Sequence, residues 1–198
     1  MSLSQTCRTL RPVFLRYLYQ RIEVYEEMMT SAGLLPSFSQ ARKSKHAANF
    51  VYKKYAEELV RQLEIVTIRD PSLAQHVNIL NVLVVNHSII SVLEELARCI
   101  ALFPKLHTVQ LVFRFPFTGG SVLAIFKGHQ YPQIRNVCVS GESTEFLVAC
   151  PNAECITPYR NKPYTYLPRA VESCRHLRTL GSVYFDADTM KRETLPIY

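Results

Sequence analysis

Four times the chain leaves a helical stretch through the same seven-residue phrase: Phe103-Pro-Lys-Leu-His-Thr-Val109, Tyr131-Pro-Gln-Ile-Arg-Asn-Val137, Cys150-Pro-Asn-Ala-Glu-Cys-Ile156 and Cys174-Arg-His-Leu-Arg-Thr-Leu180. A phrase returning at offsets of 28, 19 and 24 residues predicts an irregular solenoid, in which each helix-strand unit covers its neighbour's apolar edge. Such an architecture puts function on a surface and not in a catalytic pocket.

The proline of the phrase, arginine in the last copy, falls where a helix must stop. Proline lacks the donor for the next helical bond and pushes the residue before it out of the helical region. The chain then runs apolar, polar, polar, apolar, polar, apolar, as in Leu106, His107, Thr108, Val109, Gln110, Leu111. That is the spacing of a leucine-rich-repeat strand. Strands are expected near 63–69, 77–84, 106–113, 134–139, 153–157 and 178–184, parallel and in sequential order, with helices on one side of the sheet. The fold class expected is therefore α/β, a leucine-rich-repeat-like solenoid over residues 50–198 behind an N-terminal helical segment, residues 1–35, and a basic polar linker, residues 36–49.

The helices are legible from their spacing. Ile89, Val92, Leu93, Leu96 and Ile100 form an apolar stripe, with Ser91 and Glu94 spaced as a capping box. Phe50, Tyr55, Leu59 and Val60 form another amphipathic face. Further short helices are expected at Ser121–Phe126, ending at Gly128, at Thr144–Ala149, ending at Pro151, and from Pro168 to near Cys174.

A chain of 198 residues buries about 70% of its unfolded surface, enough for a core without staples. No stretch reaches about 18 uncharged apolar residues, so no membrane partner is expected. The opening residues lack the pattern of a secretion signal, so a cytoplasmic or nuclear location is expected. Its six cysteines then read as buried thiols. A metal site gathering Cys150, Cys155, Cys174 and His176 lacks a close Cys-x-x-Cys pair and is not expected, nor is any cofactor.

The net charge of +7 invites a nucleic-acid partner, so its location matters. Residues 1–62 hold ten Lys/Arg against five Asp/Glu, whereas residues 63–198 hold thirteen against eleven. The repeat region is nearly neutral. Arg42, Lys43, Lys45, Lys53 and Lys54 form the densest basic patch, and the interleaved exposed aromatics of a nucleic-acid surface are not expected there. A nucleic-acid-associated protein using the basic N-terminal third stands as the alternative function.

Enzyme signatures are weak. Gly119-Gly120 lacks the further glycine and lysine of a phosphate cradle, there is no nucleophile elbow or zinc-protease helix, and no carboxylate is placed by sequence to activate His107 or His176. No catalytic residue is assigned.

The segment from Leu3 to Val24 resembles the closing part of an F-box, in which a Leu-x-x-x-Cys-x-x-Leu helix precedes an apolar stretch ending in a Leu-aromatic pair; Leu3, Cys7, Leu10, Leu18, Tyr19, Ile22 and Val24 carry the match. With the repeats behind it, and with the phrases Gly128-His-Gln-Tyr-Pro-Gln-Ile-Arg135 and Cys150-Pro-Asn152, the chain resembles F-box/leucine-rich-repeat proteins of the fungal type. The resemblance implies the substrate receptor of a ubiquitin ligase: the F-box docks on a Skp-type adaptor and the repeats hold a target protein. Met1 falls inside the late part of the motif, so residues 3–24 are expected to bind the adaptor weakly or not at all. Cys7, Leu10 and Leu18 are then expected to pack as a cap over the first repeat.

In a parallel stack, equivalent positions form rows roughly 4.7–4.9 Å apart. The rows expected are Asn78, His107, Arg135, Glu154, Arg178; then Ile79, Thr108, Asn136, Cys155, Thr179; then Asn81, Gln110, Cys138, Thr157, Gly181. The partner-binding face expected comprises His107, Thr108, Gln110, Arg135, Asn136, Glu154, Arg178 and Thr179.

Overall fold

The computed structural model describes residues 10–26, 29, 44–114, 124–140, 146–159, 172 and 174–181. These form an α/β arrangement around one sheet. Its strands are β1 (Arg21–Val24), β2 (Ile79–Val84), β3 (Thr108–Phe113), β4 (Asn136–Val139), β5 (Cys155–Pro158) and β6 (Thr179–Leu180). They lie in sequential order, and every adjacent pair is parallel. The helices long enough to number are α1 (Arg11–Leu18), α2 (Lys45–Glu64) and α3 (Ile89–Ala101).

The seven-residue phrase is one structural device repeated. In each copy the fourth residue donates its backbone N–H to the carbonyl of the first: Leu106 to Phe103 at 3.3 Å, Ile134 to Tyr131 at 3.2 Å, Ala153 to Cys150 at 3.1 Å and Leu177 to Cys174 at 3.2 Å. The first residues of all four are buried, as are the fourth residues of the first three. Cysteine at the first position of two copies therefore occupies the buried position that Phe103 and Tyr131 take in the others.

Entry into each strand is forked. One carbonyl of the preceding strand accepts from two consecutive N–H groups of the next. Gln20 accepts from Asn78 and Ile79, Asn78 from His107 and Thr108, His107 from Arg135 and Asn136, Arg135 from Glu154 and Cys155, and Glu154 from Arg178 and Thr179, all between 2.7 and 3.2 Å. This fork sets the register. A slip of one residue would turn every buried strand side chain outward.

The phrase also closes the helix before it. Helix ends leave carbonyls without intrahelical donors. The Tyr131 hydroxyl donates to Ala97 O at 3.0 Å, and Gln133 Nε2 donates to Ile100 O at 3.1 Å, so the second copy of the phrase tidies the last turn of α3. Tyr131 in turn meets Phe126 and Phe146 at ring separations of 6.4 and 5.8 Å, an aromatic knot beneath β4.

Several expectations need correction. Residues 63–69 are not a strand: α2 continues to Glu64 and passes into a π-helical turn at Ile65–Arg69. The run is rich in β-branched residues, but the buried positions Tyr55, Leu59, Leu63 and Val66 recur at helical spacing. The first strand is instead β1, within the segment expected to be wholly helical; its alternating burial, with Ile22 and Val24 inside, is the period-2 signature over only four residues. The linker reading of 36–49 fails at its end, because α2 begins at Lys45. No capping box forms at Ser91, because α3 starts two residues earlier behind Ser88, whose φ of 46° lies in the left-handed region. The end expected at Gly128 is present, and that glycine holds a φ of 85° which its missing Cβ permits. Of the helix expected from Ser121, residues 121–123 lie outside the described residues, as does nearly all of that expected from Pro168. Residues 146–149 form a single 3-10 turn.

Truncation of Leu106 or Ile134 to alanine is expected to cost roughly 2–5 kcal/mol in urea unfolding, since both are fully buried beneath the sheet. Replacing the exposed neighbour His107 by alanine should stay within about 0.5 kcal/mol.

Alkali should unfold the protein through its core tyrosines. Burial, with Glu26 adding and Arg114 opposing, pushes the Tyr55 phenol up to about 12, and burial also holds Tyr131 well above its usual range. A raised folded pKa contributes stability that is complete below the unfolded value of about 10 and is lost as pH rises through the folded one. Denaturation midpoints should therefore fall between about pH 10 and 12, and Tyr55→Phe should blunt that fall.

Candidate functional site

One face of the sheet is buried; the other is open over the first part of the strands and covered farther along, where Leu83 and Val112 are buried. Ile22, Val24, Leu80, Val82, Val109, Leu111, Val137, Val139 and Ile156 are inside. The alternate residues turn away from them and form the rows the repeat spacing predicts. Ile79, Thr108, Asn136, Cys155 and Thr179 are register partners, with Arg21 extending the row at its start. Asn81, Gln110, Cys138 and Thr157 form the next, extended by Glu23; Gly181 continues it, its N–H reaching Ile156 O at 2.8 Å. The row of Asn78, His107, Arg135, Glu154 and Arg178 is the fork itself.

The side chains of these rows interact along the face. His107 Nδ1 lies 2.9 Å from Thr108 Oγ1, and Asn136 Nδ2 donates to the same hydroxyl from the next strand at 3.2 Å. Arg135 donates to Asn152 O at 3.3 Å and faces Glu154 at 3.7 Å. Asn152 also donates to Pro132 O at 3.0 Å, clasping the two successive turns. The Arg135–Glu154 pair is largely solvent-exposed, so its worth to stability is about 0–1 kcal/mol. Arg178 and Thr179 are exposed at the end of the sheet. All eight expected face residues thus share one continuous surface, the open sheet face and the strand-entry turns beside it.

The F-box-like residues are not brought together in the same way. Leu3 and Cys7 lie outside the described residues. Leu10 and Leu18 are 48% and 59% exposed, so the cap expected of them is not buried among the described residues, while Tyr19 is partly buried and Ile22 is in the core. Of the basic patch, Arg42 and Lys43 lie outside the described residues. Lys53 and Lys54 share one carboxylate, Glu57, at 3.7 and 2.8 Å, which offsets one of the two charges; Lys54 also lies 5.9 Å from the ring of Phe50, 55% exposed, so the expectation that no exposed aromatic interleaves the patch does not hold.

The cysteines fall on opposite sides of the sheet. Cys155 projects on the open face, whereas Cys150 and Cys174 are buried beneath it and His176 is exposed on a turn. Burial pushes the Cys150 thiol well up, and pushes Cys99 up to about 12 and Cys138 to about 11. Because the thiolate is the nucleophile, alkylation of the native protein at neutral pH should spare Cys150 and Cys99 until unfolding, and among the described cysteines it should reach Cys155, on the open face, first. Mass mapping of a time course checks the order; early labelling of Cys150 would contradict its placement.

Gln20 and Glu23, which open two of the rows, are absent from the sequence-based list. Their signal was available as the alternation of Gln20-Arg21-Ile22-Glu23-Val24. Comparison with protein-family models, with curated proteins and with solved structures finds no match.

Proposed function

We propose that this protein is a protein-recognition module whose open sheet face holds its target. On this reading the parallel sheet is the strand wall of an irregular leucine-rich-repeat-like solenoid, similar to the substrate-receptor part of an F-box/leucine-rich-repeat ubiquitin-ligase subunit. The observation that carries it is the fork repeated at five strand entries. Repeats so locked present their outward residues as fixed rows, and a surface preorganised in this way loses little freedom on binding.

The chemistry of the rows supports a protein partner. They mix amides, hydroxyls and charges of both signs: Asn136, Gln110, Thr108, Glu154, Arg135 and Arg178. Phosphate binding instead calls for a surplus of positive charge, and residues 63–198, which carry the rows, hold thirteen Lys/Arg against eleven Asp/Glu.

Arg135→Glu combined with Arg178→Glu is expected to abolish capture of the target from native cell extract. The melting temperature should stay within a few degrees, because exposed charge changes cost under about 0.5 kcal/mol each. Retained capture by that variant, with loss instead on charge reversal at Lys43, Lys45 and Lys53, would move the site to the basic segment and favour a nucleic-acid partner.

A further inference from the structure

β1 is an edge of the sheet, paired among the described strands with β2 alone. Gln20 O points toward β2, where it accepts from Asn78 and Ile79. Backbone groups of successive strand residues point to opposite sides, so Ile22 and Val24 also face β2, and Arg21 and Glu23 present their N–H and C=O to the side away from β2. Glu23 confirms the direction: its N–H donates to Gln62 Oε1 and its carbonyl accepts from Gln62 Nε2, both at 3.3 Å. These bonds are long for N–H···O, and Gln62 Nε2 is held more closely by Glu58, at 2.8 Å. A side-chain amide thus sits loosely where a neighbouring strand's peptide group would sit.

The edge is self-complementary in one register only. An antiparallel partner strand must place its own outward residues opposite Arg21 and Glu23 to exchange hydrogen bonds. If the partner is the same strand, three registers do so. One centres on Arg21 and opposes arginine to arginine; one centres on Glu23 and opposes glutamate to glutamate. The third centres on Ile22 and opposes Arg21 to Glu23 twice, each pair exchanging two backbone bonds. Arg21 and Glu23 already meet within one chain at 3.1 Å, so the dyad would join two such pairs into a four-charge network. Beside the edge runs a groove of about 580 Å³ whose lining includes Tyr17, Leu18, Ile22, Ile65 and Val66. Tyr17 and Leu18 are 70% and 59% exposed, which leaves apolar surface for a partner to cover.

We propose that the occupant of this edge is a second copy of the chain. Two chains pair β1 to β1, antiparallel about a two-fold axis at Ile22, with Gln62 displaced from Glu23 in each. The interface is isologous and leaves no β1 edge exposed for further growth. It sits at the β1 end of the open-face rows, at Arg21 and Glu23, and joins two such faces edge to edge in one molecule.

Sedimentation of the full chain over a range of concentrations tests this. Wild type should pass from monomer to dimer. Arg21→Glu leaves glutamate at both outward positions and Glu23→Arg leaves arginine at both, so each variant alone should dimerise at least tenfold more weakly. An equimolar mixture of the two should associate as the wild type does, and so should the double exchange R21E/E23R. In the unmodified protein, amide exchange at Arg21 and Glu23 should slow as concentration rises through the dimer transition, a readout that does not depend on any variant folding. A wild type that stays monomeric, single variants that dimerise normally, a mixture that fails to associate, or exchange at these two amides indifferent to concentration would each overturn the proposal.

Discussion

The forked hydrogen bond at each strand entry is the constraint on which the described structure rests. One carbonyl holding two successive N–H groups fixes both where the next strand begins and which of its residues faces inward. Everything downstream inherits that choice. Val109, Val137 and Ile156 fall in one buried line because the residues two before them, His107, Arg135 and Glu154, are clamped to the strand before. The turn that precedes the fork is equally local, an i to i+3 bond closed over a buried first residue. Sheet and core are therefore specified by seven residues at a time.

That locality explains what was readable in the amino-acid sequence. The four phrases predict β3 to β6, their parallel order and the rows of the open face, because each phrase carries its own stop, turn and alternation. Reading fails where the device is degenerate. Before β2 there is no phrase, and the β-branched run at Leu63–Ile68 imitates a strand while its buried residues keep helical spacing through the π-helical turn. β1 is overlooked because four residues of alternation say little by themselves; only pairing to β2 gives them meaning.

The candidate face was legible as geometry and not as chemistry. Spacing alone places His107, Arg135, Glu154 and Arg178 side by side, since the fork makes residues 19 to 29 apart into neighbours. Nothing in spacing foretells that Asn152 clasps two turns at once or that Thr108 is shared between His107 and Asn136. Those contacts depend on rotamers selected in three dimensions. Likewise the glutamine amide at the β1 edge comes from a helix 39 residues away, beyond the reach of any local pattern.

The last copy of the phrase differs from the other three in a way that bears on how the molecule comes apart. Phe103, Tyr131 and Cys150 head phrases whose seventh residues are buried, but in the fourth copy Leu180 is 43% exposed and β6 is two residues long. Sub-global opening begins where apolar cover is thinnest. Each fork is held by the strand before it, so release of β6 would leave the β5 fork intact, and loss of structure would run back along the row one rung at a time. Among the described strands, the C-terminal end of the sheet is thus where opening is expected to begin, so that the sheet has a direction in time as well as in sequence.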